Sequence, residues 1–263
     1  MNVSVIIPTY RPGEYLWDCI ESLQRQSLSN DQFEVLLVLN GEKDPYYSSI
    51  EERLNNITLP VRFFYISSPG VSKARNFALD RALGQYIAFI DDDDRVSPNY
   101  LKELLHMADV GDSRSIVCSN VKTFDQEMVG NDYISNAYST MKESGKKFSL
   151  FAYRHFLSSS CCKIIPTDII RDCRFPETIR IGEDAYFMAA ISNKIKNIIL
   201  APQSAIYYRR LRLGSASRKR ERLVDKLKRK WNLLVQYGRL YINGFPHYNL
   251  PFFLSRIVAI IVK

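Results

Sequence analysis

Short runs of apolar, often β-branched residues alternate with segments of helical periodicity along the first 110 residues of the chain. The apolar runs predict strands, and the periodic segments predict helices. The strands are expected at 3–8, 33–41, 61–67 and 85–90, and the helices at 13–27, 45–55 and 71–83. Such alternation is typical of an α/β fold with a mostly parallel sheet and helices on both of its faces.

Polar side chains occur where three of these predicted strands end. Thr9 to Arg11 follow the first strand, Asn40 and Gly41 close the second, and Asp91 to Asp94 follow the fourth. Ligands of open parallel sheets bind beyond the carboxyl ends of the strands. We therefore expect the three clusters to converge on one crevice.

The second half of the chain is less regular. Strands are predicted at 115–124 and 197–210, with a helix from about Glu183 to Asn193 between them. Residues 125–160 are polar and mixed, which favours a variable loop or lid. No stretch has the composition of a linker, so one domain followed by a C-terminal segment is expected.

The four consecutive aspartates, Asp91 to Asp94, are the strongest chemical feature of the sequence. Their charges repel and burial would be costly, so such a cluster usually stays in water, caps a neighbouring element or meets a cation. A calcium loop of the EF-hand type is excluded because Arg95 and Val96 stand where it needs other residues. Mg²⁺ or Mn²⁺ takes one or two carboxylates and completes its shell with water and phosphate oxygens. The residues alone leave open a solvated acidic turn and a metal site for a diphosphate-bearing ligand.

Other chemistries find little support. The sequence has no glycine-rich phosphate loop of the dinucleotide or Walker type, which argues against hydride transfer and ATPase activity. The five cysteines and three histidines lack the spacing of a disulfide framework or a zinc site, which predicts a reducing cytosol and no structural metal. The adjacent Cys161 and Cys162 are interpreted as small residues of a buried strand. The N-terminus begins with an apolar strand and is not predicted to be a signal peptide.

The net charge of +8 is concentrated near the C-terminus, where residues 209–230 hold eleven Lys or Arg and two acids. Residues 216–241 predict a basic amphipathic helix, with an apolar stripe at helical spacing. The stripe consists of Leu223, Leu227, Trp231 and Leu234. The final run, "LPFFLSRIVAIIVK", is apolar but shorter than the ~20 residues that span a bilayer. This segment predicts either a surface anchor on an anionic membrane or a helix that packs on the domain.

Four motifs in order carry a resemblance to a known family: "SVIIPTYRP", "FEVLLVLNG", "GVSKARNFALDRALGQYIAFIDDDD" and "RFPETIRIGEDAYF". From Val3 to about Tyr208 the chain resembles the family 2 glycosyltransferases of the bacterial surface-polysaccharide type, which are inverting enzymes of the GT-A fold. The resemblance implies a catalytic domain at 1–208, with a nucleotide-sugar half (1–110) and an acceptor half (111–208), followed by the basic segment at 209–263.

The resemblance also implies roles for single residues. The implied donor-site residues are Pro8, Thr9, Tyr10, Asn40, Arg75, Asp91 and Asp92. Among them Tyr10 would stack on the base, and Arg75 would bind charged donor oxygens. Asp93, in the family's DXD motif, would hold the divalent cation, Mn²⁺ or Mg²⁺. Asp184, in "GEDAYF", would be the general base that takes the proton of the acceptor hydroxyl.

One pair of residues departs from the family pattern. Many relatives carry two aspartates where this chain has Leu39 and Asn40, and the second of them commonly reads a uracil ring. The amide oxygen of Asn40 can accept a hydrogen bond from a ring N–H. A UDP-sugar is therefore the favoured donor, with GDP and dTDP left open.

The resemblance predicts a nucleotide-sugar donor and a glycan or lipid-linked acceptor, at the inner face of the cytoplasmic membrane. Three alternative functions have less support from the sequence. A nucleotidyltransferase typically needs a basic glycine-rich motif near its first strand, which "IIPTYRPGEY" does not supply. Nucleic-acid binding is not expected, because the basic residues lie in one amphipathic segment without a recognised motif. A non-catalytic sugar-nucleotide-binding relative would be free to lose Asp93 or Asp184, and both are present.

Overall fold

A computed structural model describes residues 1–125, 128–145, 147–212 and 222–262. Its strands are β1 (Val3–Thr9), β2 (Phe33–Asn40), β3 (Val61–Ile66), β4 (Tyr86–Phe89), β5 (Arg95–Val96), β6 (Ser115–Cys118), β7 (Asn120–Asp125), β8 (Met128–Asn131), β9 (Lys163–Pro166), β10 (Asn197–Leu200) and β11 (Ile206–Arg210). Its helices are α1 (Tyr15–Gln24), α2 (Tyr46–Leu54), α3 (Val71–Leu79), α4 (Tyr100–Asp109), α5 (Tyr133–Ser144), α6 (Thr167–Ile170), α7 (Glu183–Ala190), α8 (Leu223–Asn243) and α9 (Leu250–Val262).

The larger sheet has seven strands in the order β10-β6-β9-β4-β1-β2-β3. Its neighbouring strands are parallel except at β9, which is antiparallel to both β4 and β6. Every residue of β1 and β2 is buried, as continuous apolar strands between helical layers should be. The predicted α/β fold with a mostly parallel sheet is confirmed.

A second sheet was not predicted. It has four strands in the order β5-β11-β7-β8, and β5 is only two residues long. The pairing of Arg95 with Tyr208 brings the end of β11 against the aspartates that precede β5. This small sheet therefore forms one wall of the acidic cluster.

Two predicted strands are each divided between the sheets. The run at 115–124 is interrupted at Ser119, whose amide donates to the carbonyl of Cys162 at 3.0 Å, and continues as β7 of the small sheet. The run at 197–210 likewise divides into β10 and β11. Apolar periodicity records burial but not the sheet in which a strand pairs, so the sequence predicted single strands.

The range 125–160, predicted as a loop or lid, contains β8 and α5 in its described residues; residues 126, 127 and 146 lie outside them. The Asp132 carboxylate accepts from the Ile134 amide, the Ser135 hydroxyl accepts from the Asp132 amide, and Gly145 ends α5 with a φ of +55°. These are ordinary helix start and stop signals in a polar sequence.

The C-terminal helices pack on the rest of the protein with a face other than the predicted stripe. The core includes Leu233 and Tyr237 of α8 and Phe252 and Phe253 of α9. The stripe residues Leu223, Leu227 and Trp231 are 71%, 57% and 70% exposed. Residues 213–221, including the start of the predicted basic helix, lie outside the described residues, and the division at residue 208 stays a prediction. In the described ranges, no helix combines the length and apolarity needed to cross a membrane.

Candidate active site

The three polar clusters predicted at strand ends meet at one edge of the larger sheet. Since β4, β1 and β2 are parallel neighbours in register, their carboxyl ends emerge side by side. The Thr9 hydroxyl donates to a carboxylate oxygen of Asp92, and the Asn40 amide donates to the carbonyl of Thr9 at 2.7 Å. The predicted convergence is confirmed.

Tyr10 forms an exposed aromatic surface at the end of β1. Its side chain is 48% exposed, and its ring packs against Gly41, where an added Cβ would lie 2.9 Å from Cε2 of the ring. Gly41 also has a φ of +90°, so a larger residue there would be strained and would displace the ring. Pro8, by contrast, is buried within β1.

Asn40 is buried, and its amide is engaged at both ends. Besides donating to Thr9, it accepts a hydrogen bond from the Gly70 amide at 2.8 Å through Oδ1. This is the oxygen that the sequence assigned to a base N–H. In this structure the Asn40 side chain joins the ends of β1 and β2 to the loop before α3.

Arg75 connects the acidic cluster to the predicted base. This α3 side chain is 3% exposed and lies 2.9 Å from Asp91 Oδ1 and 2.6 Å from Asp184 Oδ1. Its guanidinium also lies over the Phe175 ring, 5.1 Å from the centroid. Burial alone would lower the pKa of Arg75, but the charges of Asp184 and Asp91 raise it overall. Arg75 is therefore a buried, fixed positive charge shared by the carboxylates of Asp91 and Asp184.

Asp184 lies in the first turn of α7, directly after Gly182 and Glu183. Its Oδ1 accepts from Arg75 and, at 2.9 Å, from the Ser160 hydroxyl. No side chain among the described residues donates a hydrogen bond to its other oxygen, Oδ2. Ser160 was missed by the sequence interpretation because its place beside Asp184 depends on the tertiary fold.

Glu183 is 14% exposed on its side chain and lies 3.6 Å from Arg75. Burial, followed by the charge of Asp184, raises the pKa of Glu183 to about 7, although Arg75 opposes the shift. The two adjacent acids of α7 therefore differ in their surroundings, since Asp184 has the shorter contact with Arg75.

The four aspartates have four different environments. Asp91 is paired with Arg75, whereas Asp92 is buried against Thr9, and burial raises the pKa of Asp92 to about 7. Asp94 is buried and accepts from the Arg210 amide at 2.8 Å, and burial raises its pKa well above the usual value. Asp93 forms an ion pair with Arg212 at 2.5 Å, and its side chain is 16% exposed.

Residues at the end of β11 cover this cluster. Arg210 donates through Nε to the Asp93 carbonyl at 2.8 Å and pairs through Nη2 with Asp18 at 2.5 Å. Arg209 points elsewhere and pairs with Asp132 at 2.6 Å. Arg210 and Arg212 therefore lie at the acidic cluster, whereas Arg209 does not.

The two adjacent cysteines take no part in this chemistry. Cys161 and Cys162 are 1% and 2% exposed, and burial raises the pKa of both thiols. Neutral, buried thiols are unreactive, which agrees with the structural interpretation.

A divalent cation fits this arrangement in one specific way. No group of three or more Asp, Glu, His or Cys side chains among the described residues is arranged to hold a metal ion. Asp93 nevertheless offers one partly accessible carboxylate, and Mg²⁺ or Mn²⁺ can bind one carboxylate together with phosphate oxygens and water. The residues fit a cation that arrives with a diphosphate ligand and is not caged by the protein alone.

Comparison with known proteins supplies a family for this geometry. The family described as Glycosyl transferase family 2 matches residues 4–173. The chain is 28% identical over 216 residues to the poly(ribitol-phosphate) beta-N-acetylglucosaminyltransferase TarS of Staphylococcus aureus, covering 81% of the chain and 36% of TarS. It is 26% identical over 261 residues to the minor teichoic acid biosynthesis protein GgaB of Bacillus subtilis, covering 98% of the chain and 28% of GgaB. The chain thus spans about a third of the length of these relatives.

Solved structures agree on the fold. A crystal structure of S. aureus TarS in complex with UDP-GlcNAc superposes with a TM-score of 0.72 at 23% identity, covering 90% of this chain and 66% of that one. The mannosyltransferase PcManGT of Pyrobaculum calidifontis, in complex with GDP-Man and Mn²⁺, superposes with a TM-score of 0.64 at 15% identity, covering 99% of this chain and 68% of that one.

Proposed function

The chain belongs to glycosyl transferase family 2, and we propose that it transfers a sugar, with inversion, from a nucleotide-diphosphate donor to a glycan or lipid-linked acceptor in surface-polysaccharide synthesis. The observation that carries the proposal is the buried Arg75, which contacts both Asp91 at the donor edge and Asp184 in α7. One fixed guanidinium sets the distance between the two carboxylates. A displacement reaction needs such a fixed distance between the donor and the base.

Tyr10 and Asp91 to Asp93 form the proposed donor site. The exposed ring of Tyr10 stacks on the base, and Thr9 and Asp92, which contact each other, lie next to the ribose and diphosphate. A UDP-sugar is favoured, since TarS is solved with UDP-GlcNAc, whereas PcManGT is solved with GDP-Man. Because both ends of its amide are engaged, Asn40 acts on the base by holding the loop at Gly70 in place.

Asp93 would hold the divalent cation, Mn²⁺ or Mg²⁺. A cation bound there neutralises the charge that develops on the diphosphate leaving group. Arg212, the partner of Asp93 in this structure, is well placed to contact the same diphosphate oxygens.

Asp184 is the proposed general base. Its Oδ2 takes the proton of the acceptor hydroxyl while the hydroxyl oxygen bonds to the anomeric carbon of the donor sugar. The bond between that carbon and the diphosphate breaks in the same step. Arg75 and Ser160 hold Oδ1, which orients the carboxylate. A positioned base of this kind contributes roughly 10²- to 10⁴-fold to the rate.

The C-terminal helices are proposed to rest on an anionic membrane surface, at the inner face of the cytoplasmic membrane. The exposed stripe of Leu223, Leu227 and Trp231 lies on a helix rich in Lys and Arg. Apolar insertion and lipid charge would act together there.

Calorimetric titration of UDP, GDP and dTDP, each with and without Mn²⁺, tests the donor site. We expect one nucleotide, UDP first, to bind in a metal-dependent manner, and Asp93→Ala to lose this metal-dependent binding. Asp168→Ala, at an exposed acid of α6, is the matched control. If none of the nucleotides binds in either condition, the proposed donor site is wrong.

A further inference from the structure

A second pocket, of about 230 Å³, lies between α7 and the C-terminal helices. Its lining includes Tyr133, Gly182, Ala185, Arg229, Tyr237 and Arg256. Gly182 and Ala185 flank the turn that carries Asp184. The pocket therefore adjoins the proposed base on the side of α8 and α9, and its lining includes none of the four aspartates.

Arg256 of α9 is a buried arginine that lines this pocket. It is 7% exposed, and its side-chain hydrogen bond is a long one, 3.5 Å from Nε to the Ser255 hydroxyl. It also lies over the Phe252 ring, 5.3 Å from the centroid. No Asp or Glu of the described ranges forms an ion pair with it. A buried guanidinium without a counter-charge is costly, and a ligand anion removes that cost.

Arg75, which is also buried, and the partly exposed Arg209 are both paired with an acid. Arg75 lies 2.6 Å from Asp184, and Arg209 lies 2.6 Å from Asp132. At Arg256 burial lowers the pKa; Tyr237 partly opposes this shift, and the positive charge of Arg154 adds to it. A second arginine, Arg229, lines the same pocket.

The rest of the pocket suits a ligand with a polyol or sugar face. Leu233, Tyr237 and Ile260 supply apolar and aromatic surface, and the Tyr133 and Ser158 hydroxyls lie 2.7 Å apart at the wall. The volume is below the roughly 300 to 1,000 Å³ of pockets that enclose a small ligand. It has room for one unit of a longer chain.

The geometry points to this pocket as an acceptor subsite that binds a phosphate group of the acceptor through Arg256. The inference rests on the proposed function, which makes Asp184 the base for the acceptor hydroxyl. An acceptor phosphate held at Arg256 fixes the next unit of the acceptor beside Asp184. The phosphate belongs either to a polyol-phosphate chain or to a lipid-linked diphosphate, and both present the same oxygens to a guanidinium.

A larger cavity, of about 530 Å³, lies between α1 and α2 and does not compete with this assignment. There Arg53 is already paired with Glu14 at 3.0 Å and stacks over Trp17. Its charges are balanced within the chain.

The test uses the full chain saturated with UDP and Mg²⁺, so that the donor site is occupied. Two probes are titrated by calorimetry: sn-glycerol 3-phosphate, as a polyol phosphate, and farnesyl diphosphate, as a lipid diphosphate. Arg256→Gln is expected to weaken the preferred probe about 10- to 100-fold, because a charge-assisted contact is lost, and Arg256→Lys to weaken it less. Arg171→Gln, at an exposed arginine of the surface, is the matched control and leaves probe binding unchanged.

UDP binding separates the two proposals. If UDP binds but neither probe binds the wild-type complex, or if Arg256→Gln binds the probe as tightly as wild type does, the subsite is wrong and the donor site stands. If UDP itself fails to bind, the proposed function is wrong, and the probes are then titrated into the protein alone. The stronger of the two probes identifies the source of the phosphate. If the glutamine variant does not fold, Arg256→Lys, which keeps the charge and the aliphatic stem, takes its place. Weaker probe binding than in wild type then supports the subsite, and binding equal to wild type overturns it.

Discussion

The strand-end site and the C-terminal helices differ in whether their buried charges and apolar side chains have partners within the described part of the chain. At the strand ends, Arg75 is buried between two carboxylates, and both contacts are shorter than 3 Å. In the C-terminal helices, Arg256 is buried without a carboxylate partner in the described ranges, and Trp231 is 70% exposed. Groups balanced within the chain form a preorganised site, whereas unbalanced groups favour a partner from outside. We therefore propose that the first region carries out the chemistry and that the second binds the acceptor and the membrane.

The largest effect is expected at the balanced region, from Asp184→Asn. The amide oxygen still accepts from Arg75 and Ser160, so the site keeps its shape while the basic carboxylate is lost. We expect kcat to fall by roughly 10²- to 10⁴-fold, the contribution of a general base, with UDP affinity nearly unchanged. Sugar transfer and UDP titration on the same preparation measure both quantities.

Asp168→Asn, at an acid that is 82% exposed, is the control and should transfer at the wild-type rate. Loss of UDP binding by Asp184→Asn would mean that this carboxylate belongs to the donor site. The assignment of Asp184 as the general base would then be wrong.

The sequence predicts the strands of the larger sheet better than those of the small sheet. The strands β1 to β4 lie where the apolar runs place them, because fully buried parallel strands are continuous and local in sequence. The small sheet was missed because Arg95 pairs with Tyr208, more than a hundred residues away. No local pattern encodes such a pairing.

The residues of the site likewise separate into those that the sequence predicts and those that depend on the tertiary fold. Thr9, Asn40 and Asp91 to Asp94 could be placed together because strand ends are adjacent in a parallel sheet. The Ser160 contact to Asp184 and the burial of Arg256 depend on how distant segments pack, so the sequence gives no signal for them. For α8 the sequence identified an apolar stripe, but the packed face carries Leu233 and Tyr237 instead.

Glu183, at the boundary between the two regions, should make stability depend on pH. Its pKa is about 7 in the folded protein against an ordinary 4.5, because burial disfavours the charged form. The folded state therefore holds the proton more tightly, and wild type loses stability as pH rises through this interval. Glu183→Gln cannot ionise, so its free energy of unfolding should exceed that of wild type by roughly 1 to 3 kcal/mol above pH 7 and converge with it near pH 4.5.

Urea unfolding of both proteins between pH 4.5 and 8 measures this difference. Glu177→Gln, at an exposed site, is the matched control. A gap between wild type and Glu183→Gln that stays constant with pH would show that Glu183 has the same pKa in the folded and unfolded states, and that Arg75 offsets the effect of burial on this acid.

The smallest effect is expected at the unbalanced surface, from the double change Leu227→Ser and Trp231→Ser. Both side chains are mostly exposed, so the melting temperature should stay close to that of wild type, whereas affinity for vesicles with anionic lipid should fall by about tenfold or more as apolar insertion is lost. Val110→Ser, at an equally exposed apolar residue beyond α4, is the control and leaves vesicle binding intact. Binding of wild type should also weaken with salt, because the Lys and Arg of α8 contribute about 1 kcal/mol each near an anionic surface. Equal vesicle binding by the double variant and wild type would show that these side chains do not insert into the membrane. The exposed stripe would then need another partner.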